Sequence, residues 1–350
     1  MCGMLQNTPI DWAYRTEEQT DSHFGNIGRV SNWPRGKVLG GSSMLNYMLY
    51  MRGHSQDYEE WRDLGLEGWG WDEVLPYYKK AENMESKLEQ GEKYHGTGGP
   101  LTVTMDNFKV PVMDLIMRAA RELGYKVGDV NGELEDEGFN IGQHTIRNGE
   151  RTGTFRAYAE KYAGTKITVL TYAHVNKVIF RDNVAVGVEV CTFRFRNLSK
   201  RYTQVSRFGR IDQYYAKQEV ILSAGTIGSP QILMLSGIGD SEHLKEVGIK
   251  PLLHIPEVGR NLQDHLIVGL SFDTRDATGT DMLASTRLST WTSYMSGEGP
   301  LTSPSLDGVA QINSEVNDDT RGRPDVQLHL VGLSQASDYG LLLRHNFGKK

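Results

Sequence analysis

Apolar residues recur at helical spacing in two stretches of the first half of the chain. From Pro111 to Leu123 they follow the 3.6-residue period of an amphipathic helix, and a glycine ends the run. A second helix is predicted to start at Glu73, with Asp72 as its N-cap, and to run towards Met84. Both stretches are long enough to bury one face against a core.

Short β-branched runs are typical of strands, and they are concentrated in the middle of the chain. The last two are separated by an Asp-Asn pair that favours a tight turn. A further short alternating run follows a glycine-rich loop at Leu101. We therefore predict a strand there and a small antiparallel sheet from the three central runs, Lys166 to Leu170, His174 to Arg181 and Val184 to Cys191.

A strand, a tight turn and a helix are predicted in succession after residue 218. Glu219 to Leu222 has strand composition, and Ser229-Pro230 is a favourable helix start that Gly237 would close. Past Asp264 the chain becomes rich in serine, threonine and glycine, which indicates a second domain. The pattern as a whole predicts a mixed α/β (α+β) fold.

Two glycines and two serines, residues 40 to 43, precede a compact apolar run that ends at Met51. The pattern predicts a short helix opened by a glycine turn. Backbone amides at such a turn can hold an anion such as a pyrophosphate, and Arg35 or Lys37 would add positive charge. Taken alone, the pattern is better explained by an ordinary serine-capped turn.

The overall charge argues against a polyanionic partner such as a nucleic acid. The 350 residues carry a formal net charge of −6, whereas binding of a polyanion would need a basic face. The length and the 38% of hydrophobic residues are enough for two or more domains. One basic stripe interrupts the acidic balance, and we interpret it as the solvated tip of a hairpin. Its members are Arg194, Arg196, Lys200, Arg201, Arg207 and Arg210.

The two cysteines, Cys2 and Cys191, lie far apart, so the spacing supports neither a disulfide framework nor a zinc site. No apolar run approaches the roughly 18 residues of a membrane span. The first ten residues lack the pattern of a signal peptide. The sequence therefore predicts no membrane span and leaves the location of the protein open.

Two long motifs resemble those of the glucose-methanol-choline (GMC) oxidoreductases. The segment Arg35 to Asn46, continued by Tyr50, Arg52 and Gly53, is similar to the first motif of that family. The segment Gly225 to Gly239 is similar to the second. Three further segments share the likeness, and the insect glucose dehydrogenase-like group is the most similar in character. These segments are Asn148 to Thr154, Val169 to Val178 and Val258 to His265.

The resemblance implies an FAD enzyme that oxidises the CH–OH group of an alcohol or a sugar. In this family a hydride passes to N5 of the flavin, and a quinone or oxygen accepts the electrons. Ser42 would lie near the phosphates, Asn46 near the flavin ring, and Val175 would meet the adenine end through its backbone. For Val38 and Val175 the alternative is plain core packing. The implied cofactor-binding residues are Val38, Gly40, Gly41, Ser42, Asn46, Tyr47, Met48, Leu49 and Val175.

The family pattern is not followed at the two ends. Members begin with a Rossmann unit, whose Gly-x-Gly-x-x-Gly turn we do not find, and their active-site histidine is expected beyond Lys350. We therefore expect residues 1–265 to be an FAD-binding domain without its N-terminal Rossmann unit. Residues 266–350 would begin an antiparallel-sheet substrate domain. Such an isolated chain should show little turnover.

No catalytic base is predicted within the 350 residues. His265 is interpreted as structural, and the other histidines show no metal-ligand spacing, so we expect surface or hydrogen-bonded core residues. The alternative to an enzyme is a degenerate paralogue with a binding or interaction role. The resemblance to the family is compatible with an extracellular location. The histidines concerned are His54, His95, His144, His174, His243, His254 and His329.

Overall fold

The computed structural model describes residues 5–88, 91–105, 108–132, 137–192, 209–272, 287–318 and 322–332. These residues form a mixed helix and sheet structure. The helices are α1 (Ser55–Asp63), α2 (Trp71–Ala81), α3 (Gly91–Tyr94), α4 (Pro111–Glu122), α5 (Gly225–Leu235), α6 (Ser241–Glu246) and α7 (Leu288–Met295). The strands are β1 (Tyr14–Arg15), β2 (Asn32–Trp33), β3 (Glu82–Met84), β4 (Leu101–Met105), β5 (Gly138–Ile141), β6 (Gln143–His144), β7 (Ile146–Arg147), β8 (Glu150–Arg151), β9 (Ala173–Arg181), β10 (Val184–Thr192), β11 (Arg210–Tyr215), β12 (Ile238–Gly239), β13 (Leu253–His254), β14 (Gly308–Ile312) and β15 (Val326–Leu330).

The chain divides into two compact units. The first comprises Met1–Ala163 together with Leu270–Lys350, and the second comprises Gly164–Gly269. Within the described ranges, no helix is long and apolar enough to cross a membrane.

The first unit has its core where α4 packs on an antiparallel sheet of order β15-β14-β5. Met117 and Ala120 of α4 meet Phe139 of β5 and Ala310 of β14, and all four side chains are buried. The predicted helix at Pro111 is therefore confirmed. Strand β14 comes from the predicted substrate domain and pairs with β5 from the predicted flavin domain, so the two regions share one sheet.

The second unit contains a three-stranded antiparallel sheet of order β11-β10-β9. The predicted hairpin of β9 and β10 is confirmed, and both residues of its turn, Asp182 and Asn183, have positive φ. The predicted strand at Lys166 to Leu170 is wrong, because the third strand of this sheet is β11. Most of the basic stripe predicted for a hairpin tip lies in residues 193–208, outside the described residues.

Helix α5 follows in the second unit and packs on β9, where the amide of Val178 donates to Ser236 Oγ at 2.8 Å. The helix starts at Gly225, four residues before the predicted Ser-Pro start. The strand predicted just before it, Glu219 to Leu222, is wrong, since no described strand pairs with these residues. Strand composition alone does not supply the neighbouring ladder that a strand requires.

Helix α2 is confirmed, but its limits differ from those predicted. It begins at Trp71, because the backbone of Gly70 serves as its N-cap and donates to the Glu73 carboxylate at 3.0 Å. It ends at Ala81, where the chain extends into β3 and pairs in parallel with β4. This early end places the Glu82 side chain in the interior of the first unit, where it is fully buried.

Glu82 belongs to a buried cluster of four charged side chains that links distant parts of the first unit. Its Oε2 accepts from Arg52 at 2.7 Å, and its Oε1 lies 2.9 Å from Nδ1 of His95. The other ring nitrogen of His95, Nε2, lies 2.6 Å from the Asp129 carboxylate. Each charge is therefore compensated, as burial requires.

Amide side chains extend this cluster to the backbone of residues 50–52. Asn131 accepts from the Arg52 amide at 2.9 Å and donates to the Tyr50 carbonyl at 2.9 Å. Asn131 also donates to Gln143, and the backbone carbonyl of Gln143 accepts from the Tyr50 amide at 2.7 Å. The segment that follows the glycine turn is thereby fixed to the core.

The two carboxylates determine the charge of His95. Burial lowers the pKa of its imidazole, but hydrogen bonds to Asp129 and Glu82 outweigh that effect and raise the pKa to about 9. Burial has the opposite effect on the carboxyl group of Asp129 and raises its pKa. The hydrogen bond from His95 outweighs burial, so the pKa of Asp129 lies below its usual value. The imidazolium and the carboxylate thus stabilise each other in the folded protein.

The raised pKa of His95 predicts a loss of stability at alkaline pH. The imidazolium stabilises the fold fully below its unfolded pKa of 6.5, and this contribution is lost as the pH rises towards 9. The free energy of unfolding, measured by denaturant titration, should fall by about 3 kcal/mol across that interval relative to a His95→Gln variant.

An exposed histidine outside the cluster provides the control. The variant His243→Gln, on α6, should show the same pH dependence as the wild type. Parallel stability curves for wild type and His95→Gln between pH 6.5 and 9 would contradict the cluster.

Candidate cofactor-binding site

The glycine turn predicted from the sequence is present, and it is followed by one short 3₁₀ turn. Gly40 and Gly41 have φ of 92° and 56°, in the left-handed region that glycine adopts without strain. The 3₁₀ turn spans Gly41–Met44, so the predicted helix from Ser43 to Met51 is wrong. The chain leaves helical conformation because Met48 has a φ of 62° and its carbonyl accepts from the Thr145 amide.

A third glycine, Gly36, lets the preceding segment lie directly against this turn. A Cβ at Gly36 would lie 2.1 Å from the carbonyl oxygen of Gly41, a distance that no side chain tolerates. The Gly36 amide donates to Ser42 Oγ at 3.1 Å. Ser42 therefore has a structural contact of its own, with its hydroxyl holding the two segments together.

The segment from Arg151 to Thr154 closes the other side of the turn. The amide of Thr154 donates to Ser43 Oγ at 3.0 Å, and the Thr154 hydroxyl donates to the Gly40 carbonyl at 3.1 Å. Arg151 donates to the Ser43 carbonyl at 2.9 Å. These contacts hold the glycine turn in one conformation.

The turn is open at Gly41, and three apolar side chains of the same segment are partly exposed. Val38, Leu39 and Tyr47 are exposed by 38%, 43% and 39%. A Cβ at Gly41 would meet no atom within 4 Å. Three large apolar side chains thus flank a stretch of backbone that a planar ligand could approach closely.

Eight of the predicted cofactor-binding residues lie in this one segment, and they differ in exposure. Asn46 is exposed with Val38 and Tyr47, whereas Met48 is buried against Ile146 and Leu49 is half-buried. Val175 belongs to the second unit, where it pairs with Val190 in the hairpin of β9 and β10. For Met48, the described contacts are those of a core residue.

Positive charge near the turn comes from Arg35 and Lys37. The guanidinium of Arg35 lies over the Trp33 ring, and its Nε is buried with no hydrogen-bond partner among the described residues. The ammonium of Lys37 lies 4.5 Å from the centre of the Trp12 ring. Aromatic contacts thus hold both cations close to the backbone of the first motif.

The histidines have the locations expected of surface or hydrogen-bonded core residues. His54, His95 and His144 are buried with hydrogen bonds. The remaining four, His174, His243, His254 and His329, are exposed. In the described residues no group of three or more His, Cys, Asp or Glu side chains is arranged to hold a metal ion.

Two features of the site were not predicted from the sequence. Arg151 and Thr154 lie in a segment that resembles the family, but no role was predicted for either residue. The cluster at His95 was also missed, since its members are separated along the chain by 13 and 34 residues. Arg151 could have been singled out from the sequence, because it lies in the family-like segment Asn148 to Thr154, close to a Gly-Thr pair.

Comparison with known proteins identifies relatives over most of the chain. A family model described as GMC oxidoreductase matches residues 19–267. "Glucose dehydrogenase [FAD, quinone]" of Drosophila pseudoobscura pseudoobscura is 33% identical over 347 residues, covering 96% of this chain and 52% of the relative. "Oxygen-dependent choline dehydrogenase" of Rhizobium meliloti (strain 1021) is 38% identical over 256 residues, covering 73% of this chain and 43% of the relative.

The fold is similar to that of a solved oxidase. Formate oxidase superposes with a TM-score of 0.77 at 26% identity, covering 96% of this chain and 60% of that chain. The chain spans about half the length of the curated relatives that it matches.

The close approach of Gly36 to the turn predicts a strong effect of one added methyl group. Gly36→Ala should lower the free energy of unfolding by about 2 kcal/mol, because the Gly41 backbone must move. Gly25→Ala is the matched control, since its Cβ would meet no atom within 4 Å. Equal thermal melting temperatures for the two variants would contradict the described packing.

Proposed function

The chain belongs to the GMC oxidoreductase family, and we propose that it forms the flavin-facing part of an FAD-dependent oxidoreductase. The proposed reaction is oxidation of the CH–OH group of an alcohol or a sugar, with a quinone or oxygen as electron acceptor. The observation that carries the proposal is the clamped glycine turn with its open apolar side.

The names of the relatives support this substrate and acceptor class. One relative is named for glucose, FAD and quinone, and another for choline and oxygen. Glucose and choline both carry a CH–OH group. Of the two activities we propose one like that of glucose dehydrogenase, because the similarity to the glucose dehydrogenase extends over 96% of this chain.

The residues around the turn fit the chemistry of FAD. A diphosphate needs backbone that it can approach closely and donors that are not already used. Gly41 supplies the first, because a Cβ there would meet no atom within 4 Å, and the buried Nε of Arg35 is a donor without a partner in the described residues. The flavin ring needs an apolar surface, which Val38 and Tyr47 offer.

Each proposed residue has a distinct task toward the cofactor. Bound FAD would supply the hydride acceptor of the reaction at N5 of its flavin ring. Gly40, Gly41 and Ser42 would lie along the phosphates, while Asn46 and Tyr47 would position the ring. Val38 and Leu49 would shield it from water, Met48 would support the segment from the core, and Val175 would contact the adenine end. We assign no general base to residues of this chain.

The proposed domains are an FAD-binding region at residues 1–265 and the beginning of a substrate region at 266–350. The family match to residues 19–267 supports the first of these.

The proposal predicts flavin in the natural gene product and bleaching of its absorption by substrate. Tyr47→Ala should weaken FAD binding by about tenfold, because the exposed ring would lose its contact with the flavin. FAD retention and anaerobic bleaching by glucose and choline measure both effects.

Tyr77→Ala is the matched control, because Tyr77 is 70% exposed on α2, outside the site. It should retain FAD as the wild type does. A gene product that neither binds flavin nor oxidises an alcohol would contradict the proposal and favour the non-catalytic alternative.

A further inference from the structure

One nitrogen atom of the Arg151 guanidinium makes two contacts with the first motif. This Nη1 donates to the backbone carbonyl of Ser43 at 2.9 Å and to the side-chain oxygen of Asn46 at 2.8 Å. Charge-assisted hydrogen bonds of this kind are stronger than neutral ones. Arg151 therefore joins the end of the glycine turn to the residue proposed to meet the flavin ring.

The position of Arg151 is fixed by the core beneath it. Arg151 pairs with Ile146 in the hairpin of β7 and β8, and Ile146 is buried against Met48. Next to it, the amide of Thr152 donates to the Thr145 carbonyl at 2.8 Å. The guanidinium thus extends from a rigid hairpin, so it can hold another side chain in place.

These contacts assign the orientation of the Asn46 amide. Its Oδ1 also accepts from the backbone amide of Met48 at 3.1 Å. An arginine nitrogen and a backbone amide are both donors, so the atom that they share must be the oxygen of Asn46. The NH₂ group consequently points away from Arg151 and Met48.

The NH₂ group of Asn46 is available to a ligand. Asn46 is exposed, and its Nδ2 has no hydrogen-bond partner in the part of the chain that the structure describes. Without Arg151, only the weaker donor, the Met48 amide, would hold the oxygen, so the amide would be held less firmly and would present its NH₂ group less consistently. With Arg151, the side chain presents two donors and no acceptor.

We infer that Arg151 is a positioning residue, which orients Asn46 so that its NH₂ donates to an acceptor atom of the flavin ring. The inference rests on the proposed function. A donor facing the ring stabilises the electron-rich reduced flavin more than the oxidised one. Loss of the orientation should therefore lower the midpoint potential of the bound flavin.

The test is a double-mutant cycle on the FAD-loaded protein. Arg151→Met and Asn46→Ala should each shift the equilibrium between oxidised and reduced flavin about tenfold, or about 30 mV for a two-electron couple. Because Arg151 acts through Asn46, the double variant should shift no further than Asn46→Ala alone. Spectroelectrochemical titration measures the potential, and kcat is recorded beside it.

Arg156→Met is the control, since Arg156 is an exposed neighbour paired only with Glu150 among the contacts described. It should leave the potential unchanged. Arg151→Lys keeps the charge and one donor, so it should recover part of the shift. If Arg151→Met does not fold, the midpoint potential of Arg151→Lys is compared with that of the wild type instead.

The possible outcomes separate the inference from the proposed function. A wild type without FAD would overturn both. FAD binding with an unchanged potential in Arg151→Met and Arg151→Lys would overturn the inference alone. Additive shifts in the double variant would do the same, because Arg151 would then act through the Ser43 backbone and not through Asn46.

Discussion

The buried cluster of Arg52, Glu82, His95 and Asp129 is the interaction on which the rest of the first unit depends. It joins the segment after the glycine turn to β3, to the loop before β4 and to the chain after α4. Removing one partner of such a cluster leaves an uncompensated buried charge, which costs about 3–5 kcal/mol. The backbone of residues 50–52 therefore has a fixed position, and the segment that we propose to face the flavin is held at its C-terminal end.

The other constraint is the absence of side chains at two points of close approach. Gly36 lies against the carbonyl of Gly41, and Gly153 lies against Met44, where a Cβ would be 2.4 Å from the sulfur. Around these contacts, the hydroxyls of Ser42, Ser43 and Thr154 satisfy the backbone of the turn. These polar contacts leave Gly41 open and the side chains of Val38, Leu39 and Tyr47 partly exposed, and this is the surface that we propose for the flavin nucleotide.

Local pattern predicted the elements whose stability is mostly local. The helix at Pro111 and the hairpin with its Asp-Asn turn were correct because period and turn chemistry suffice there. The helix predicted from Ser43 was wrong because contacts with distant Thr145 and His144 extend the chain after Met48. The role of Arg151 was equally hidden, since Arg151 and Asn46 are 105 residues apart in sequence. The motif indicated which residues to consider for cofactor binding. The fold shows which of their atoms are available for hydrogen bonds, as with the NH₂ group of Asn46.

The central claim is that the open side of the glycine turn is a flavin-binding surface. Amide hydrogen exchange of the natural gene product, with and without FAD, tests it most directly. We expect FAD to protect the peptide covering residues 38–49, while the exposed loop at residues 64–69 exchanges equally in both states. FAD binding without protection of residues 38–49 would contradict the account.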